Sequence, residues 1–105
     1  MQVNIDPFVY QKLGDLIQVL LDKDYFATHA KALAYVDSIY KFIISIPRRT
    51  ARNTKNNRYG NFYATYKANR RTTWYIMYDI EDDVYLIRNV INNHTEDYPR
   101  FIAGL

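Results

Sequence analysis

The chain is 105 residues long, 49% apolar and 24% charged, with no cysteine, three glycines, three prolines and a net charge of +3. That length supports one domain, spanning 1–105, with a core of its own, since two halves would each bury too little surface. The apolar fraction excludes a disordered tail. Without cysteine there is neither a disulfide nor a thiolate nucleophile, and two histidines, His29 and His94, are too few to close a structural zinc site. The first residues lack the basic start and apolar stretch of a secretion signal, and no apolar run reaches the roughly 18 residues that a membrane span needs. A cytoplasmic protein without membrane attachment is the expectation.

Two biases in composition carry information. Eleven of the aromatic residues are tyrosines, which pack with the ring and hydrogen-bond with the hydroxyl. All eleven acids lie at 6–37 or 79–97, so 38–78 holds none, yet that stretch carries Lys41, Arg48, Arg49, Arg52, Lys55, Arg58, Lys67, Arg70 and Arg71. Such a field attracts phosphate backbones or an acidic protein partner. The plainer reading is a solvated basic surface.

In chain order, Val3-Asn4-Ile5 alternates as a short strand, and Asp6-Pro7 supplies an N-cap with proline in the first helical position. The helix that follows places Val9, Leu13, Leu16, Ile17, Leu20 and Leu21 on one stripe and should end near Leu21. A polar turn at 22–25 leads to a second helix from about Ala27 to Ile46, stopped by Pro47. The two make an antiparallel hairpin. Residues 48–58 show no apolar periodicity and read as a mobile basic loop.

After Gly60 the period becomes two, and three strands are expected over 61–67, 72–78 and 84–91. Their connections, 68–71 and 80–83, are short enough for an antiparallel meander. The last segment, 96–102, reads as a short turn interrupted by Pro99. The expected architecture is α+β: a short N-terminal strand and an antiparallel helix hairpin packed on one face of an antiparallel three- to four-stranded sheet. Alternation along 74–78 turns Trp74, Ile76 and Tyr78 to the helices and leaves Tyr75 and Met77 on an open face beside Tyr63, Thr65 and Lys67. An aromatic and cationic surface of that kind stacks bases and holds phosphates.

The succession of a basic loop, Tyr63-Ala64-Thr65-Tyr66-Lys67, Thr73-Trp74-Tyr75-Ile76-Met77-Tyr78-Asp79, Val84-Tyr85-Leu86-Ile87-Arg88, and Asn92-Asn93-His94 with Tyr98 resembles the RelE/ParE superfamily of bacterial type II toxins over nearly the whole chain. The resemblance implies a RelE-like fold and a small toxin paired with a cognate antitoxin that wraps a helix and an extended segment over it. RelE-like members cut messenger RNA on the ribosome without a metal; ParE-like members poison DNA gyrase. A fold does not decide between these.

RNA cleavage by the 2′-hydroxyl needs a base, an acid and charge on the phosphorane neutralised. By the resemblance, Tyr98 matches the RelE-type C-terminal tyrosine and Lys67 ends the strand that carries the family's basic residues. Tyr75, Tyr63, Thr65 and Asn92 stand where RelE-like enzymes have arginine or lysine. His94 corresponds to a C-terminal histidine used by several relatives as acid or base, and its reference pKa suits either role; the alternative is an inert cap of a polar turn. Arg88 matches a position basic in both branches, the alternative being an ion pair with Asp79 or Glu96.

The expected catalytic set is thus His94, Tyr98, Lys67 and Arg88, with Arg48, Arg49, Arg52, Lys55, Arg58, Arg70, Arg71, Tyr63 and Tyr75 binding nucleic acid. The expected function is a ribosome-dependent mRNA endonuclease. Gyrase poisoning without nuclease chemistry, or a degenerate member that only binds its antitoxin, are the alternatives. No metal or small-molecule cofactor is expected, because no phosphate-cradling glycine loop or ligand cluster is present.

Overall fold

The computed structural model describes residues 2–55, 58 and 60–103. Strand β1 (Gln2–Ile5) leads into helix α1 (Pro7–Asp22), whose Asp6 cap accepts a hydrogen bond from the Phe8 amide at 2.8 Å. Helix α2 (His29–Ser45) opens on Thr28, whose hydroxyl accepts from the Lys31 amide. It gives way to a 3-10 turn at Ile46–Arg48, where Pro47 has no amide to continue the α pattern. His29 is exposed, as its place in the first turn of the second helix suggests.

The strands are β2 (Arg52–Asn53), β3 (Phe62–Lys67), β4 (Thr73–Glu81) and β5 (Val84–Asn92), followed by helix α3 (Tyr98–Ala103). The fold is α+β, with a five-stranded mixed sheet in the order β1-β5-β4-β3-β2. Buried residues from α1 (Val9, Leu13, Leu20) and α2 (Ala32, Val36, Ile39, Phe42, Ile43) meet Trp74, Ile76, Tyr78, Ala64, Ile87 and Val90 of the sheet. Tyr66 and Tyr85 pack at the margin of this core.

Three features differ from the expectation. The sheet has five strands rather than three or four and is not wholly antiparallel, because β1 pairs parallel to β5 with Gln2 opposite Val84 and Ile5 opposite Ile87. The basic loop is not featureless: Arg52 and Asn53 pair with Tyr63 and Phe62, and the Thr54 hydroxyl donates to the Gly60 carbonyl. Of that loop, Asn56 and Asn57 lie outside the described residues. Gly60 has φ +137°, and a Cβ there would come within 3.0 Å of the Tyr78 amide nitrogen, so the close approach of this turn to β4 requires glycine.

The third difference bears on function. The sheet face away from the helix hairpin is not open, because α3 folds back over it. Phe101 is buried against Met77 and Ile91, with Tyr63 and Tyr75 packed at the edges of this second, smaller core. Pro99 does not interrupt the last segment but stands in the first turn of α3, where its missing amide costs nothing.

The β4–β5 connection is a two-residue turn at Asp82 and Asp83, both at positive φ, the twist that a tight hairpin prefers. Further along, the register passes from Met77 opposite Asn89 to Tyr78 opposite Ile87, which leaves Arg88 as the extra residue of a bulge. Replacing Phe101 with alanine should cost about 3 kcal/mol, the usual loss for a buried phenylalanine, read as a lower urea midpoint. An unchanged midpoint would mean that α3 does not cover the sheet.

Candidate functional site

Asparagines build one end of the sheet. In the β3–β4 connection the Asn69 carboxamide oxygen accepts from the Arg71 and Thr72 amides, both at 2.9 Å, which turns the chain and leaves Arg70 and Arg71 exposed at the tip. After β5, the Asn92 side chain accepts from the His94 amide at 2.8 Å and from the Thr95 hydroxyl. Asn93 then staples the two turns together. Its Nδ2 donates to the Arg71 carbonyl, its Oδ1 accepts from the Thr73 amide, and its own amide donates to the Thr73 carbonyl. The staple sets the His94 Nε2 3.2 Å from the Thr72 hydroxyl.

These turns face the connected end of the helix hairpin, where α1 turns into α2, across a cleft of about 770 Å³. Arg71 and His94 line it from the sheet, Lys23 from the end of α1, and Trp74, Tyr35, Phe26, Leu16 and Leu20 form its apolar part. No carboxylate lines it. The Trp74 indole donates to the Tyr35 hydroxyl at 2.9 Å, which joins sheet to α2 at the base of the cleft.

A second pocket of about 390 Å³ lies where α2 ends beside β2 and β3. Arg48, Arg49 and Arg52 line it together with Phe42 and Tyr63, again without an acid. The Arg49 guanidinium lies 4.3 Å from the Phe42 ring centroid, and its Nε donates to the Ser45 hydroxyl, so this cation is held in place before any ligand arrives. Lys55 and Arg58 continue the exposed basic surface beyond it.

The four expected catalytic residues do not meet. Lys67 is exposed at the end of β3, opposite Thr73, whereas Arg88 reaches Asp79, six residues along β4, or about 20 Å at roughly 3.3 Å per residue. The Met77, Ile91 and Phe101 cluster fills the space between. Arg88 forms an ion pair with Asp79, whose other carboxylate oxygen accepts from the Asn61 amide, so this pair ties β5, β4 and the start of β3 together. Tyr98 packs on Tyr75, with ring centroids 5.4 Å apart and hydroxyls at 3.5 Å, while His94 faces the cleft.

Neither candidate tyrosine of the sheet is a bare platform. Tyr75 stands edge-on to Phe101 at 5.5 Å and Tyr63 does so at 6.0 Å. The two residues that sequence reasoning passed over are Lys23, which has no periodic signal, and Asn93, whose staple depends on a partner about twenty residues away. Among the described residues no group of three His, Asp or Glu side chains is placed to hold a metal ion, and no helix is long and apolar enough to cross a membrane. No family model, no curated protein and no solved structure matches the chain.

Burial first, then the hydrogen bond with Tyr98 and the neighbouring Tyr98 and Tyr63 phenols, push the Tyr75 hydroxyl up to about 12. The folded protein therefore keeps a proton that the unfolded chain releases near pH 10. The stability contributed is complete below that pH and is lost as pH rises through about 12. Urea midpoints measured up this alkaline limb should fall less steeply for Tyr75→Phe than for the parent chain. Parallel slopes would show that Tyr75 is not held in this way.

Proposed function

We propose that the chain is a RelE/ParE-type toxin, acting in the cytoplasm and neutralised by a cognate antitoxin, that cuts messenger RNA on the ribosome. The observation that carries the reading is the convergence of His94, Arg71 and Lys23 on one cleft without a carboxylate, in a molecule that also holds a separate pocket of three arginines. The long acid-free stretch 38–78 supports the same conclusion.

In this mechanism Arg48, Arg49, Arg52, Lys55, Arg58 and Arg70 grip the RNA backbone. The His94 imidazole takes the proton of a 2′-hydroxyl as that oxygen attacks the adjacent phosphorus. Arg71 and Lys23 neutralise the charge that gathers on the phosphorane oxygens. The bond to the 5′-oxygen breaks, the imidazolium returns its proton to that leaving oxygen, and a 2′,3′-cyclic phosphate remains. Tyr98, Lys67 and Arg88 have no part in the chemical step, since they lie on other parts of the molecule; Tyr98 supports Tyr75 and Arg88 supports the sheet.

Induced expression followed by mapping of message ends should show broken transcripts for the parent chain and about 100-fold fewer for His94→Ala, within the range for loss of a general acid–base. Intact messages in growth-arrested cells would overturn the nuclease reading.

The separation of Lys67 from Arg88 and the engagement of Arg88 with Asp79 favour a second reading, a gyrase poison that binds without hydrolytic chemistry. It predicts accumulation of cleaved supercoiled DNA with purified gyrase, unaffected by His94→Ala. No DNA breaks at saturating protein would remove it.

A further inference from the structure

The cleft between the helix hairpin and the asparagine-built turns has a composition that the RNA reading does not use. Its larger part is apolar and aromatic: Leu16, Leu20, Phe26, Tyr35 and Trp74, with Tyr25, 68% exposed, beside them. A volume of about 770 Å³ falls in the usual range for sites that enclose a small organic molecule. Part of its wall is preformed, because the hydrogen bond from the Trp74 indole to the Tyr35 hydroxyl fixes both rings and takes up the only polar atom of the indole.

The polar part has one sign. Lys23, Arg71 and His94 contribute cationic or cation-forming groups, and among the described residues neither Lys23 nor Arg71 has an ion-pair partner. The carboxamides of Asn69 and Asn92 direct their oxygens to backbone amides of their own turns, which leaves the NH₂ ends as the donors these residues can offer. Apolar surface for a body, donors and cations for a head, and no acid to repel it define an occupant. A neutral ligand leaves the cations unanswered, and a bare inorganic anion leaves the aromatic surface wet.

We propose that this cleft binds a small amphiphilic anion, an aromatic or branched aliphatic body bearing one carboxylate. The body lies against Leu16, Leu20, Phe26 and Trp74, and the carboxylate meets Arg71 with Lys23 or His94. The inference goes beyond the toxin reading and does not require RNA cleavage. It adds that such a molecule covers His94 and competes with any polyanion using the same end of the sheet.

Trp74 is the sole tryptophan, so its emission reports on this site alone. The experiment titrates the full chain with 4-phenylbutyrate, with 4-phenylbutan-1-ol as the same body without charge, with inorganic phosphate as charge without a body, and with uridine monophosphate. The expected result is a saturable change in Trp74 emission with phenylbutyrate, and at least tenfold weaker binding of the alcohol, of phosphate and of the nucleotide. Arg71→Gln, an exposed position whose variant is checked for an unchanged urea midpoint, should weaken phenylbutyrate about tenfold, the usual effect of losing one charge-assisted hydrogen bond.

Equal binding of acid and alcohol, an Arg71→Gln variant that binds as the parent does, or no response at millimolar phenylbutyrate would each overturn the proposal. Tighter binding of the nucleotide would overturn it too, in favour of a nucleotide subsite. Failure of the nuclease reading shows in message ends and leaves this titration unchanged, so the two can fall separately.

Discussion

Strand β4 is buried on both faces, and the placement of every other group follows from that constraint. Trp74, Ile76 and Tyr78 meet the helix hairpin, while Met77 lies fully buried under Phe101 with Tyr75 beside it. A strand sealed on both sides presents no reactive surface along its middle. Polar and charged groups are displaced to the ends of the sheet and to its β2 edge. The cleft at the asparagine turns and the arginine pocket are the two places where such groups gather.

How much of this was legible in the chain differs element by element. The period-two stretches after Gly60 and the Asp6-Pro7 start place three strands and the first helix within a residue or so, except that β4 runs three residues past the expected end to Glu81, because those elements are specified by side-chain alternation and local capping. Strand β2 was not legible. A two-residue pairing has no periodicity, and Arg52 and Asn53 are held by register against Tyr63 and Phe62 rather than by their own preference. The parallel pairing of β1 with β5 joins residues about eighty positions apart, a contact that no local pattern encodes.

The error with the largest functional consequence came from Pro99. Proline in a short polar segment reads as a break, yet in the first turn of a helix it is tolerated and even favoured. Read as a break, it gives Phe101 no destination and leaves the sheet face open. Once Phe101 is seated on Met77 and Ile91, Tyr75 and Tyr63 change from stacking platforms to the rim of a small core. His94 lines the cleft, but Lys67, Arg88 and Tyr98, which the sequence groups with it, do not line that cleft. Alternation along strands cannot show that a turn after β5 is pinned by Asn93 to the β3–β4 connection, and that pinning decides which residues His94 meets.

Charge placement completes the picture. Asp37 and Asp79 are the acids that border the acid-free stretch, and each is already engaged with a cation: Asp37 with Lys41 at 3.1 Å, and Asp79 with Arg88 as well as the Asn61 amide. Neither is therefore at liberty to neutralise the arginines at 48–52 or at 70–71. An exposed pair such as Asp37–Lys41 contributes little to stability, and it is neutral as a unit, so it adds neither sign to the field that an approaching polyanion feels. Uneven charge in the sequence thus survives folding as an uneven field in space, and attraction by such a field weakens with salt. The carboxylate-free cleft and arginine pocket are the shaped parts of that field, where apolar and aromatic surface adds a recognition that diffuse charge alone cannot supply.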